Sequence, residues 1–147
     1  MENIDDIKYM QAALEQARMA LERGEIPIGA VIVAQNRIIA RGHNLTQTLM
    51  DPTAHAEMQA ITAATHALGG KYLSGCTIYV TVEPCPMCAS ALRWAQVDRV
   101  VWGAKDIKRG FTTISDKLLH PKTTTNNGVL ELECAELMTN FFAQLRK

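Results

Sequence analysis

The chain has 147 residues, 48% hydrophobic and 20% charged, with a formal net charge of zero. That length and balance suit one soluble globular domain over residues 1–147 and exclude both a disordered chain and a uniformly basic nucleic-acid binder. No apolar run approaches the roughly 18 residues of a membrane span, and the start Met1-Glu2-Asn3-Ile4-Asp5-Asp6 is acidic without an apolar export core, so a cytoplasmic protein is expected.

Ile7, Met10, Leu14, Ala17 and Leu21 recur at spacings of three and four, which predicts an amphipathic helix capped by Asp5 or Asp6 and ended at Gly24. Ile26 to Ala34 reads as a buried strand, Gln35-Asn36 as a two-residue turn, and Arg37 to Gly42 as the returning strand. A polar loop through Asp51-Pro52-Thr53 leads into an Ala-rich helix, Ala54 to Leu68, stopped by Gly69-Gly70. Thr77 to Val82 alternates and is β-branched, hence a third strand. Pro84 breaks it, and Pro86 sits where a first-turn proline is tolerated in a helix over Cys85 to Ala95. Arg99 to Gly103 is a fourth strand, 104–128 mostly loop, Val129 to Glu133 a fifth strand, and Ala135 to Leu145 a closing helix. Strands alternating with helices after an opening hairpin imply an α/β sandwich around a mixed sheet, with ligands at strand ends where helices begin.

Charge is unevenly spread. Residues 1–92 hold six Lys/Arg against nine Asp/Glu, and residues 93–147 hold nine against six. Arg99, Lys105, Lys108, Arg109, Lys117 and Lys122 lie close together with only Asp106 and Asp116 between them. Such a stretch can meet phosphates, although a solvated loop would look the same on charge alone.

Two predicted helix starts carry chemistry: His55-Ala56-Glu57, and Pro84-Cys85-Pro86-Met87-Cys88. Cys85 and Cys88, three apart, are neighbours in a first helical turn, where the helix dipole favours thiolates. With His55 they make three N/S ligands and leave a fourth position open, the arrangement of catalytic zinc, one ion per chain. Glu57 falls about 200° around the helix from His55, so it faces the metal only if the site lies in line with the helix start. There it reaches an activated water without ligating. A redox C-x-x-C needs no H-x-E partner. A closed structural zinc site needs a fourth ligand, and His43, His66, Cys76 and Cys134 are not at ligand spacing; Cys76 and Cys134, beside strand-like segments, read as buried small hydrophobes. The whole pattern H-x-E…P-C-x-x-C matches the zinc deaminase signature.

The match extends beyond that signature. Gly24-Glu25-Ile26-Pro27-Ile28-Gly29-Ala30-Val31, His43-Asn44, Asp51 to Glu57, Tyr79 to Cys85, Val101-Trp102-Gly103-Ala104-Lys105-Asp106 and Phe141-Phe142 resemble segments of bacterial tRNA-specific adenosine deaminases. The resemblance implies a cytidine-deaminase-like three-layer α/β/α sandwich with a five-stranded mixed sheet, acting as a homodimer. It implies hydrolytic deamination of the wobble adenosine in a tRNA anticodon loop to inosine, by zinc-activated water. By position it makes His55, Cys85 and Cys88 the zinc ligands and Glu57 the proton shuttle. Asn44 then holds the flipped base, with Ile28, Ala56 and Pro84 around it. Asp106, Lys108 and Arg109 meet the anticodon loop, and Phe142 closes over the pocket. Cys85-Pro86-Met87-Cys88 is also a form common in free-base guanine and cytosine deaminases, which keeps that alternative open. A cytidine deaminase matches the opening segments poorly, and a non-catalytic zinc-binding interaction module would show metal without turnover.

Overall fold

A computed structural model describes residues 4–146; Met1, Glu2 and Asn3 of the acidic start, and Lys147, lie outside the described residues. Chain order is α1 (Ile4–Glu22), β1 (Gly29–Ala34), β2 (Arg37–His43), α2 (Ala56–Leu68), β3 (Cys76–Val82), α3 (Pro86–Ala95), β4 (Arg99–Ala104), a short 3-10 turn (Phe111–Thr113), β5 (Thr124–Asn127) and α4 (Glu131–Leu145). The strands form one five-stranded sheet in the order β2-β1-β3-β4-β5. β1 runs antiparallel to both β2 and β3, while β3, β4 and β5 are parallel. The mixed α/β sandwich is therefore the observed fold.

The central strands are apolar on both faces because helices cover both. Ile32, Ile78, Val80, Val100 and Trp102 pack with Ala56, Ala60, Ala89 and Leu92 of α2 and α3. Val31, Tyr79 and Val101 pack on the other face with Met10, Ala13 and Leu14 of α1 and Cys134 of α4. Cys76 and Cys134 are buried, as expected. Among the described residues, no helix is long and apolar enough to cross a membrane.

Four expectations are corrected. The fifth strand is not Val129 to Glu133. It is Thr124–Asn127, fully exposed and polar, held by backbone pairing to Arg99–Trp102. An edge strand without an apolar face leaves no alternation to read. The apolar pair that suggested a strand serves α4 instead: Val129 is buried, and Leu130 takes a left-handed conformation at the N-cap. The first strand starts at Gly29 rather than Ile26, because Glu25 to Ile28 turns back on itself. Of the expected α1 stripe, Met10, Leu14 and Ala17 are buried, joined by Tyr9, Ala13 and Ala20, while Leu21 is 37% exposed.

Asp6 is also not a cap. It is buried inside α1, where its carboxylate accepts from Arg99 Nη1 at 2.8 Å, Arg99 Nη2 at 2.7 Å and the Tyr79 hydroxyl at 2.7 Å. This bidentate pair ties the first helix to the start of β4. It also takes Arg99 out of the basic stretch, at the far end of the strand from Ala104. The Arg99 guanidinium holds the Asp6 carboxyl below its ordinary range despite burial. A lowered acid contributes stability above its unfolded pKa and loses it as pH falls through the folded value. Asp6→Asn should therefore cost about 3 kcal/mol at pH 7, as breaking a mostly buried ion pair does. The gap should close in acid, once pH has fallen through the lowered folded value of the wild-type carboxyl and it protonates too. Denaturant unfolding at neutral and acid pH checks this; an equal gap at each would sink the ion-pair account.

The topology gathers one end of the sheet. Because β1 is antiparallel to both neighbours, the start of β1 lies beside the ends of β2 and β3: Gly29 pairs with His43, and Ala30 with Val80. Val82 pairs with Ala104, so β4 ends there as well. Ile28, Asn44, Pro84 and Lys105 each follow or precede a strand at this edge.

Candidate metal centre and active site

Two helices begin at that edge. α2 is N-capped by His55 (φ −72°, ψ 158°) and α3 by Cys85 (φ −73°, ψ 168°), and neither side chain makes a capping hydrogen bond. Extended backbone at a cap turns each side chain off the helix end, so both remain available to a shared ligand. Pro86 occupies the first helical position of α3, where it lacks nothing the helix needs. α2 seats tightly against the hairpin because Gly42 has no side chain: a Cβ there would lie 2.5 Å from the Ala56 carbonyl oxygen.

His55 Nδ1 lies 3.6 Å from Cys85 Sγ and 3.5 Å from Cys88 Sγ. All three ligand atoms fall within 4.8 Å of one another. Tetrahedral bonds of about 2.3 Å to sulfur and about 2.0 Å to nitrogen place S and N about 3.5 Å apart, so the three residues fit a zinc ion. No fourth His, Cys, Asp or Glu joins the cluster among the described residues. The geometry is that of an open site.

Electrostatics agree. A hydrogen bond from Cys88, then one from His55, pull the Cys85 thiol down to about 4. Sharing that proton with Cys85, and burial, push Cys88 up. Without metal the cysteine pair thus holds one proton; a dication at the same point displaces it, since thiolates are the ligating form. The Cys85 hydrogen bond raises His55.

Glu57 is buried two residues into the same turn, and its carboxyl meets the Cys88 thiol. Burial pushes it up to about 7. A bound cation nearby favours the ionised form and draws that value back down. A carboxyl titrating near neutrality beside an open metal position is suited to accept a proton and return it.

Residues 3–104 match the family of the cytidine and deoxycytidylate deaminase zinc-binding region. A tRNA-specific adenosine deaminase of Bacillus subtilis is 45% identical over 97% of this chain and 91% of its own. A solved structure from studies of A-to-I editing by tRNA:A34 deaminases at the wobble position of transfer RNA is 43% identical. It covers 88% of this chain and 98% of its own, with a TM-score of 0.82. The chain belongs to the tRNA-specific adenosine deaminase family. A guanine deaminase from Bacillus subtilis is 40% identical, but over only 71% of this chain and 66% of its own, with a TM-score of 0.66.

The deaminase is a hydrolytic enzyme with a zinc-binding domain. Around its His-Cys-Cys cluster the sheet edge brings several expected residues together. The Asn44 amide donates to the Ile28 carbonyl at 3.1 Å, and the Asn44 side chain is buried, its Oδ1 3.4 Å from the Thr46 amide. Ala56 is the first residue of α2 and Pro84 directly precedes Cys85; both are buried. Lys108 and Arg109 are exposed, and their amides donate to Asp106 Oδ1 at 3.1 and 2.9 Å, which folds the segment into a tight turn. Phe142 lies on α4, 37% exposed and edge-on to Phe141. His43 reaches Gln16 Oε1 with Nδ1 at 3.3 Å, and His66 is exposed on α2; neither is a ligand.

Two further residues at this edge carried no individual signal in the sequence. Glu25 and Glu83 are buried carboxylates, each folded under a loop at the sheet edge. Glu25 accepts from the Gln47 amide at 3.1 Å and from the Thr48 amide and hydroxyl at 2.7 Å each. Glu83 accepts from the Asp106 and Thr112 amides at 3.3 and 3.0 Å and from the Thr112 hydroxyl at 2.7 Å. A lone Glu beside an apolar strand reads as exposed; only donors arriving from 22 or 29 residues away show otherwise.

Proposed function

We propose that this chain converts the wobble adenosine of a tRNA anticodon to inosine, releasing ammonia. The carrying observation is the buried Glu57 set against an open His55-Cys85-Cys88 triad, in a chain 43–45% identical over most of its length to tRNA adenosine deaminases. Bound zinc supplies Lewis-acid activation of the attacking water. Glu57 takes a proton from that water as it adds to C6 of adenine and delivers it to N1; it then takes the remaining proton of the new C6 hydroxyl, as that becomes the carbonyl, and passes it to the amine, which departs as ammonia. One carboxyl thus serves as base and then acid. Asn44, fixed by its backbone bond to Ile28, holds the edge of the flipped base, with Ile28, Ala56 and Pro84 as walls. The amides at the starts of α2 and α3 favour the developing negative charge. An adenosine in an RNA loop unstacks more easily than one in a duplex.

Lys105, Lys108 and Arg109 project next to this edge and hold the phosphates of the anticodon loop, with Asp106 shaping their turn. The enzyme works as a homodimer, a reading supported by Trp94, 80% exposed on α3. Its four unpaired cysteines suit a reducing cytoplasm. The shorter match to guanine deaminase supports a second reading, free guanine as substrate on the same zinc chemistry.

Incubating zinc-loaded protein with an anticodon stem-loop, free guanine and adenosine, and measuring ammonia and inosine, separates these. On the stem-loop, activity should fall steeply with salt as cations compete for the phosphates. Lys108→Ala with Arg109→Ala should reduce the slope of log affinity against log salt by about two. Salt-insensitive turnover of guanine, with the stem-loop ignored, would replace the tRNA reading and leave the zinc mechanism standing.

A further inference from the structure

Glu83 stands between β3 and Cys85, yet all three donors its carboxylate accepts come from the segment after β4. That segment is joined to the zinc-bearing chain twice more: the Glu83 amide donates to the Ala104 carbonyl at 2.8 Å, and the Phe111 amide to the Pro84 carbonyl at 2.8 Å. Phe111 is itself 2% exposed, edge-on to Trp102, so the far end of the segment is anchored in the core. Gly110 lies against the Glu83 carboxylate so closely that any side chain there would overlap it. Between these anchors, Lys105, Ile107, Lys108 and Arg109 are exposed. A buried carboxylate fully used by one loop, with a glycine shaped around it, is a clamp.

We propose that Glu83 is a positioning residue for the substrate: it fixes the cationic turn 105–112 relative to Cys85 and the zinc site, and so sets where the RNA backbone is held against the metal. This rests on the tRNA reading above. The hydrogen bonds of the Glu83 carboxylate all go to Asp106 and Thr112, none to a ligand atom of the cluster. The effect of Glu83 therefore falls on substrate binding rather than on the chemical step. The hydroxyl of Thr112 is the other half of the clamp, since it is the nearest of the three donors at 2.7 Å. Glutamine at 83 keeps size and one acceptor oxygen but puts an NH2 where a second acceptor is needed, leaving a buried donor facing donors.

The test compares parent, Glu83→Gln, Thr112→Val and Thr112→Ser holoenzymes on the anticodon stem-loop, with zinc content and amide exchange measured alongside. Glu83→Gln should keep its zinc and a kcat within about threefold, while KM rises about tenfold, a loss of about 1.4 kcal/mol in kcat/KM. The amides of Asp106 and Thr112 should exchange at least about tenfold faster. Thr112→Val should raise KM in the same direction, and Thr112→Ser, which restores the hydroxyl, should match the parent. If Glu83→Gln does not fold, the Val and Ser pair at 112 carries the same comparison. An unchanged KM with faster exchange would overturn the proposal, as would lost zinc and kcat with KM kept, which would make Glu83 a support of the metal helix. A parent that does not turn over the stem-loop refutes the substrate reading itself, a result distinct from any ratio between variant and parent.

Discussion

Glu57→Gln should fold and hold zinc as the parent does, yet lose about two to four orders of magnitude in kcat, the range attached to a positioned acid–base group. Glutamine is nearly isosteric and cannot carry a proton between water, N1 and the leaving amine. Substrate affinity should change little, so kcat and kcat/KM fall together. The parent should lose activity on the acid side of neutrality as the Glu57 carboxyl, raised by burial to about 7, becomes protonated and can no longer accept. Bound zinc moves that limb lower, and the variant should lack it. Stability moves the other way. A carboxyl whose folded pKa is raised contributes stability below its unfolded pKa and costs stability as pH rises through the folded value. Above neutral pH the metal-free variant should therefore melt higher than the metal-free parent. Single-turnover assays across pH with melting curves check both; turnover within tenfold of the parent would remove Glu57 from the proton path.

Cys88→Ala should reduce zinc from about one ion per chain to a trace and abolish activity, since two remaining ligands cannot hold a tetrahedral ion. Cys134→Ala provides the comparison. Both thiols are buried, at 0% and 1% exposure, so both substitutions leave a similar small void. Cys134, on the opposite face of the sheet beside Gly103, touches no ligand, and its variant should keep zinc and turnover. The parent should also melt higher with zinc than after chelation, because a ligand that binds only the folded state stabilises it. Cys88→Ala should lose that increment while Cys134→Ala keeps it. Metal analysis of the three proteins decides; full zinc in Cys88→Ala would place the ion elsewhere.

What was legible in the sequence was what short-range chemistry dictates. Cys85 and Cys88 meet because they share a first helical turn, Pro86 marks where that turn begins, and Gly69 marks where α2 stops in a left-handed residue. The central strands announced themselves by β-branched and apolar residues, in a run over Ala30 to Ala34 and in alternation over Thr77 to Val82. β5 did not: its four exposed polar residues are strand only through backbone pairing with β4, a bond pattern with no side-chain signature. Asp6 looked like a cap because an acid near a helix start usually is one; its partner Arg99 is 93 residues away.

The sequence by itself therefore determined the family and singled out His55, Cys85, Cys88 and Glu57 as candidates, since these depend on residue identity at close spacing. Only the tertiary structure decided that His55 comes within 3.6 Å of cysteines 30 and 33 residues on, because that requires two helices to begin at one sheet edge. It likewise decided which basic residues are paired and which exposed, and which carboxylates are buried. Arg99 and Lys108 are equivalent as letters, but one opens β4 and pairs with Asp6, while the other follows its end in open solvent. The physical reason is direction: an antiparallel β1 between β2 and β3 brings their loops to one edge, and strand direction is set by long-range pairing that no local window contains.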